Sequence, residues 1–107
     1  MTVKLHDLEF HVKTAASFGT RFKGLMGEKE LPKGEGLLLE NCGSIHCCFM
    51  KFPIDVVYLD RDRRVVGKET VKPWRVGKII PGVHSVLELN EGEASAVETG
   101  DEMLIEM

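Results

Sequence analysis

Short β-prone runs separated by turn residues constrain the fold more than any other feature of this chain. The most β-prone run is IDVVYL at residues 54–59, and further runs lie at residues 3–5, 8–12, 37–39, 83–89 and 103–105. Turn residues separate runs of this kind about every 8–12 residues, a spacing typical of β-sandwiches and small barrels. The sequence therefore predicts a mostly β fold, a compact antiparallel β-barrel or sandwich of short strands.

Two pairs of these runs are predicted to form hairpins. The alternation over residues 3–12 is interrupted only by His6 and Asp7, which predicts a hairpin at the N-terminus. The charged segment Asp-Arg-Asp-Arg at residues 60–63 separates the run at 54–59 from a return strand at 64–71. Because exposed ion pairs contribute little to stability, this segment is predicted to be a solvated hairpin end rather than a binding site.

One short helix is predicted in the N-terminal half. Ser17 can cap it, apolar residues at 18, 22, 25 and 26 recur at helical spacing, and Gly27 suits the position that ends a helix. The helix makes the predicted fold α+β. A further strand is predicted at residues 45–51.

Length and charge exclude several classes of protein. The 107 residues predict a single domain, 1–107, and 43% hydrophobic residues are enough to build a core. A net charge of −3 argues against nucleic-acid binding, which needs a positive surface. The chain has no apolar stretch of bilayer length and no signal-peptide pattern at its N-terminus, so we expect a cytoplasmic protein without a membrane partner.

The three cysteines are predicted to be reduced thiols. Cys42, Cys47 and Cys48 are odd in number and fall within seven residues, unlike the spread, even set of a disulfide scaffold. A structural zinc site would need a second pair of ligands, which the chain does not offer at the usual spacing. No metal and no cofactor is therefore expected.

The predicted strand at residues 45–51 places chemically active side chains on one face. His46, Cys48 and Met50 lie at every second position, so they share one face of that strand. Asp55 lies among apolar residues and needs a partner if it is buried. Arg21 on the predicted helix could supply that partner through paired hydrogen bonds.

These observations predict a binding site in a polar recess between the helix and the sheet. The expected function is a non-enzymatic module that binds an unidentified small molecule or protein partner, since apolar pockets with a few polar groups are the common site type. The candidate ligand-binding residues are Arg21, His46, Met50, Asp55, Trp74 and His84.

Two alternative functions stay open. An enzyme could use Cys48 with His46 or His84 and Asp55, because a thiol nucleophile needs a histidine base and an orienting group. A protein-interaction domain could instead add a partner strand to an exposed edge of the sheet. A close cysteine–histidine pair would favour the enzyme, and a bare hydrophobic edge would favour the interaction domain.

Several blocks of the sequence together resemble the domain-of-unknown-function family 192. They are RFKGLM at residues 21–26, EGLLL at 35–39, the segment from His46 to Asp60 that contains FMK and PIDVVYLD, and VLEL at 86–89 with Gly92 and the Gly100–Asp101 pair. The resemblance covers nearly the whole chain, from about residue 3 to residue 107. It implies a compact, mostly antiparallel β fold with a short helix near the N-terminus, and it brings no established activity.

Overall fold

The described part of the molecule is a single curled β-sheet. The computed structural model describes residues 1–15, 34–40, 53–72 and 80–106. Within these ranges seven strands form one sheet in the order β5-β4-β6-β3-β2-β1-β7, curled into a half-barrel. The strands are β1 (Thr2–Leu5), β2 (Leu8–Ala15), β3 (Glu35–Glu40), β4 (Ile54–Leu59), β5 (Val65–Val71), β6 (Ser85–Asn90) and β7 (Met103–Glu106).

Both predicted hairpins are confirmed. Strands β1 and β2 pair antiparallel around His6 and Asp7, and the backbone of His6 has a φ of 58°, the left-handed conformation that tight hairpin turns require. Strands β4 and β5 pair antiparallel around the charged turn at residues 60–63, with an irregularity between Tyr58 and Leu59.

The described strands pair antiparallel, as predicted, at every ladder except one. Strands β2 and β3 run parallel, with His11 opposite Glu35 and Ala15 opposite Leu39. A parallel pair needs a crossover connection rather than a tight turn, and residues 16–34 provide its length. The predicted helix, which begins at Ser17, and the predicted strand at residues 45–51 lie outside the described residues. The secondary structure that is described is therefore entirely β.

Apolar side chains cover both faces of the central strands. The inner cluster, inside the curl, consists of Val3, Leu5, Phe10, Val12, Leu38, Val57, Leu59, Val65, Leu87, Leu89, Ala94, Val97 and Met103. The outer cluster consists of Leu37, Leu39, Ile54, Val56, Tyr58, Val71 and Val86. All six residues of β4 are buried, as expected of a strand that is covered on both sides.

The two edge strands of the sheet meet at one corner. The Val65 amide of β5 donates to the Asp101 carbonyl at 2.8 Å, and the Gly100 amide donates to the Val65 carbonyl at 2.8 Å. Met103 at the start of β7 donates to the Arg63 carbonyl, also at 2.8 Å. The segment before β7 therefore pairs with the beginning of β5 and satisfies edge groups that a partner strand could otherwise use.

Gly36 is expected to tolerate no side chain because β3 and its neighbours pack closely around it. A Cβ at Gly36 would lie 2.7 Å from the Glu88 carbonyl oxygen and 2.8 Å from Leu89 Cδ2. A Gly36→Ala variant should lose about 1–3 kcal/mol in free energy of unfolding by urea denaturation. The control is Gly67→Ala. Its Cβ would come unusually close, at 2.8 Å, only to the flexible end of the Ile80 side chain, which can move away. Equal losses in the two variants would contradict this packing.

Candidate functional site

Asp55 forms a buried clamp near one end of the half-barrel. Asp55 is only 6% exposed, and its carboxylate accepts three hydrogen bonds. The Thr70 hydroxyl donates to Oδ1 at 2.7 Å, and the backbone amides of Gly92 and Ala94 donate to Oδ2 at 3.0 Å each. The Asp55 clamp therefore ties the segment that follows β6 to strands β4 and β5.

The segment 91–97 fills the inside of the curl near this clamp. Ala94 and Val97 belong to the inner cluster, and the Lys68 ammonium donates to the carbonyls of Ala94 and Ser95 at 2.9 Å each. Glu93 accepts a hydrogen bond from the Gly34 amide at 2.8 Å. These contacts occupy the end of the inner face beside Asp55 with protein groups.

A polar recess opens at the other end of the inner face, where β3 and β4 end and β6 begins. We call it the mouth recess, and its volume is about 410 Å³. Among the described residues, Leu38, Ser85 and Met103 line it together with five ionisable side chains, which are Glu40, Arg61, Asp62, Arg63 and His84. The floor is apolar, because Leu38 and Met103 are buried members of the inner cluster. The volume lies within the range of about 300–1,000 Å³ that small-molecule sites occupy.

Backbone hydrogen bonds hold the charged turn of the mouth recess in place. Asp60 Oδ1 accepts from the amides of Asp62 and Arg64 at 2.8 and 2.9 Å, and the Arg63 amide donates to the Asp60 carbonyl at 3.0 Å. Arg63 has a φ of 62°, the left-handed conformation that His6 also adopts in the β1–β2 turn. On the β6 side, the His84 amide donates to the Leu59 carbonyl at 2.8 Å.

The ionisable side chains of the mouth recess are not paired with one another. No side-chain hydrogen bond or ion pair joins any of the five to another residue in the part of the chain that the structure describes. Their neighbours in the same turn are engaged: Asp60 binds two amides, and Arg64 lies 3.9 Å from the Glu102 carboxylate. Within this turn, Asp60 and Arg64 therefore interact with other protein groups, whereas residues 61–63 line the recess.

The structure places two of the six predicted site residues, and it places them apart. Asp55 belongs to the clamp, and His84 lines the mouth recess. Ser85, which lines the mouth recess, is paired with Leu59 of β4. Asp55 lies four positions before Leu59 on the same strand, so the two sites are about 13 Å apart along β4. The other four predicted site residues, Arg21, His46, Met50 and Trp74, lie outside the described residues, and their participation stays a prediction.

Sequence reasoning missed most of the mouth recess. Residues 60–63 form a hairpin end in which Arg61, Asp62 and Arg63 are exposed, as predicted, but these three residues also line the same recess as His84. The available signal was the length of the apolar run 37–39, which ends at Glu40 and so places a charge at the end of a buried strand. Asp55 is buried as predicted, but its described partners are Thr70 and two backbone amides. Arg21 lies outside the described residues, so its pairing with Asp55 is untested.

The structure bears on both alternative functions only in part. The three cysteines lie outside the described residues, so a cysteine–histidine pair remains a prediction without a test. Among the described residues, no three His, Cys, Asp or Glu side chains are grouped as a metal would require. The described ranges also contain no helix long and apolar enough to cross a bilayer.

The edge of β7 carries the features relevant to strand addition. Leu104 on this edge is 54% exposed, and Glu106 bonds Lys4 of β1 at 3.0 Å. That hydrogen bond, with the charge of Glu106, raises the pKa of the Lys4 ammonium. The edge is therefore short and carries an ion pair, a combination that discourages pairing with a second chain.

Comparison with known proteins identifies the family. The model of DUF192, described as "Uncharacterized ACR", matches residues 1–105. A UPF0127 protein from Pyrococcus furiosus is 32% identical in an alignment of 111 positions, which covers 91% of this chain and 88% of that protein. The chain belongs to the DUF192 family. The resemblance seen in the sequence is thereby confirmed.

Other DUF192 relatives are longer than this chain. A UPF0127 protein from Thermococcus kodakarensis is 42% identical over 69 residues, which cover 61% of this chain and 44% of that protein. A UPF0127 protein from Thermococcus sibiricus is 34% identical over 98 residues, covering 86% of this chain and 64% of that protein. The match thus spans less than half the length of the Thermococcus kodakarensis protein and less than two thirds of the other.

Two solved structures share the fold. A protein of unknown function from Novosphingobium aromaticivorans superposes with a TM-score of 0.86 at 22% identity, covering 97% of this chain and 84% of that chain. A protein described as a putative transcription regulator from Sinorhizobium meliloti superposes with a TM-score of 0.82 at 24% identity, covering 96% of this chain and 91% of that chain. At these identities the likeness shows the fold alone.

Proposed function

We propose that this protein is a non-enzymatic module that binds a small molecule in the mouth recess. The observation that carries the proposal is the set of five ionisable side chains around that recess, none of them bonded to another described residue. Arg61, Asp62 and Arg63 are exposed and Glu40 and His84 are half-buried, so a molecule that enters the recess from solvent can reach all five. Charges that converge on a recess without pairing are available to a ligand.

The architecture of the half-barrel supports the same location. The clamp end of the inner face is occupied by residues 91–97, whereas the mouth recess keeps its volume. Ligand sites often lie in the mouths of barrels, where a packed core supports a polar rim. The apolar floor of Leu38 and Met103 and the charged walls above it have this arrangement.

Native mass spectrometry of protein purified without an affinity tag tests the proposal. A small molecule is expected to co-purify with the protein and to be lost from the double variant Glu40→Gln/Arg61→Gln. The control is Arg64→Gln, which alters the same turn outside the recess and is expected to keep the molecule. Retention of the molecule by the double variant would contradict the proposal, as would the absence of both a bound molecule and any thermal shift with a metabolite library.

The same experiment separates the mouth recess from the site predicted on the helix side. Arg21 and Trp74 belong to that predicted site and lie outside the described residues. If Arg21→Ala or Trp74→Ala removes the molecule while Glu40→Gln/Arg61→Gln retains it, the ligand binds between the helix and the sheet. If the double variant alone removes it, the ligand binds in the mouth recess.

A further inference from the structure

We infer that the connection between β6 and β7 contains a latched strap, which opens as a unit while the half-barrel stays folded. The strap consists of residues 91–99, and its latch consists of Asp55 and Lys68. The opening needs no ligand in the mouth recess, so it is independent of the proposed function. Different kinds of bond hold the ends and the middle of this connection, and the difference allows the middle to move alone.

Backbone hydrogen bonds fix both ends of the strap to the sheet. Asn90, which precedes the strap, is the last residue of β6 and is paired with Ile54 of β4. Gly100, which follows the strap, donates its amide to the Val65 carbonyl of β5 at 2.8 Å. Both ends can therefore stay in place when the residues between them move.

The strap itself is not paired with any described strand, and its backbone hydrogen bonds connect residues three apart. These bonds run from the amides of Glu93, Ser95 and Val97 to the carbonyls of Asn90, Gly92 and Ala94, at 3.1, 3.2 and 3.0 Å. Because bonds of this local kind move with the strap, its turns can persist when it leaves the inner face. Opening therefore breaks no ladder between the described strands.

Two charged side chains of the sheet hold the middle of the strap. Asp55 Oδ2 accepts from the amides of Gly92 and Ala94 at 3.0 Å each. The Lys68 ammonium donates to the carbonyls of Ala94 and Ser95 at 2.9 Å each. The two side chains come from the neighbouring strands β4 and β5, and both bind Ala94, one at its amide and one at its carbonyl. Hydrogen bonds to charged groups are stronger than neutral ones, so this pair forms an effective latch.

Burial of the strap adds little to what the latch supplies. Two of its nine residues, Ala94 and Val97, are buried, and six are exposed. Glu93 Oε1 accepts from the Gly34 amide at 2.8 Å, but Glu93 Oε2 is buried and accepts no hydrogen bond from the described residues. A buried acceptor without a donor costs free energy in the closed state, and this cost ends when water reaches the oxygen in the open state. The closed strap therefore depends on its latch.

Glycines stand near both ends of the strap, where the chain would bend on opening. Gly92 has a φ of 91° and Gly100 a φ of 98°, conformations that residues with a side chain rarely adopt. A Cβ at either position would meet no atom within 4 Å, so the backbone conformation, and not a lack of space, favours glycine there. The wide range of conformations open to glycine suits a hinge, which has to absorb a large change in backbone angles.

Native-state amide hydrogen exchange, followed by NMR at increasing urea concentrations, tests whether the strap opens by itself. The reporters are the amides of Gly92, Ala94, Ser95 and Val97 in the strap and the slowest amides of β4 and β6 in the sheet. The four strap amides are expected to share one opening free energy, which is lower than that of the sheet. This free energy should also depend more weakly on urea, because opening exposes less surface than unfolding does.

Three variants test the latch. Lys68→Met removes the donor to two strap carbonyls and should accelerate exchange of the four strap amides at least about tenfold. Lys4→Met is the matched control: it removes another strand lysine, whose partner is Glu106 of β7, and should leave strap exchange unchanged. Val86→Ala weakens the packing of the outer cluster, which persists in the open state, so it should accelerate exchange in β4 and β6 but not in the strap.

The inference is overturned if the strap amides exchange with the free energy and urea dependence of the sheet, since the strap then opens only when the protein unfolds. Equal acceleration of strap and sheet by Val86→Ala has the same meaning. Unrelated opening free energies for the four strap amides would also overturn it, because the strap then does not move as a unit. Strap exchange that is no faster in Lys68→Met than in Lys4→Met would show that Lys68 is not part of a latch, which overturns the inference as well.

Discussion

An Asp55→Ala variant is expected to lose about 3–5 kcal/mol in free energy of unfolding, because the substitution removes a buried charged acceptor with three donors. The amides of Gly92 and Ala94 and the Thr70 hydroxyl would lose their acceptor at a site where Asp55 is only 6% exposed. The segment that follows β6 would also lose its attachment to the sheet. Urea denaturation monitored by Trp74 fluorescence or circular dichroism measures the loss.

The matched control for this prediction is Asp60→Ala. Asp60 also accepts two backbone amides, but these hydrogen bonds lie in an exposed turn where water can replace the carboxylate. Its loss should cost about 0.5–1.5 kcal/mol. Amide hydrogen exchange adds a local readout, since the Ala94 amide should exchange much faster in a folded Asp55→Asn variant. Equal costs for Asp55→Ala and Asp60→Ala would contradict a structural clamp at Asp55.

A Leu87→Ala variant is expected to lose about 2–5 kcal/mol, because Leu87 is 0% exposed at the centre of the inner cluster. The surrounding strands β3 and β4 hold their spacing through backbone hydrogen bonds, so the cavity left by the missing side chain cannot close fully. Val86→Ala removes two methyl groups from the opposite face and should cost about 2 kcal/mol. Thermal and urea denaturation of both variants measure these losses.

Leu104→Ala is the control for the core variants, since Leu104 is 54% exposed on the edge strand β7. Its substitution should change the free energy of unfolding by less than about 0.5 kcal/mol. If Val86→Ala is as neutral as Leu104→Ala, the outer face of β6 is not a packed face. The half-barrel would then be covered on the inner side only.

Local signals in the sequence were sufficient for the hairpins. The β1–β2 and β4–β5 pairs join neighbouring runs through short turns, so alternation and turn residues define both partners. The parallel pairing of β2 with β3 could not be read in this way. A long connection joins the two strands, and the residue pattern of one strand does not indicate the direction in which its neighbour runs.

The candidate site was predictable only where burial was the signal. Asp55 stands among apolar residues, and its burial and its need for partners followed from that position. Its donors at residues 92 and 94 are backbone amides, which every residue except proline has. The side-chain pattern therefore could not identify them as partners of Asp55. Arg61 and Arg63 look the same in sequence whether a turn is fully solvated or forms the wall of a recess.

The central claim is that the mouth recess, and not the clamp end, receives the ligand. Chemical-shift mapping in ¹⁵N-labelled protein, titrated separately with sodium acetate and ethylammonium chloride as single-charge probes, tests it most directly. We expect the largest shifts to fall on Glu40, residues 61–63 and the pair His84–Ser85, while Gly92 and Ala94 stay unchanged. Shifts centred on Asp55, Gly92 and Ala94, or no saturable shifts around the recess with either probe, would contradict the claim.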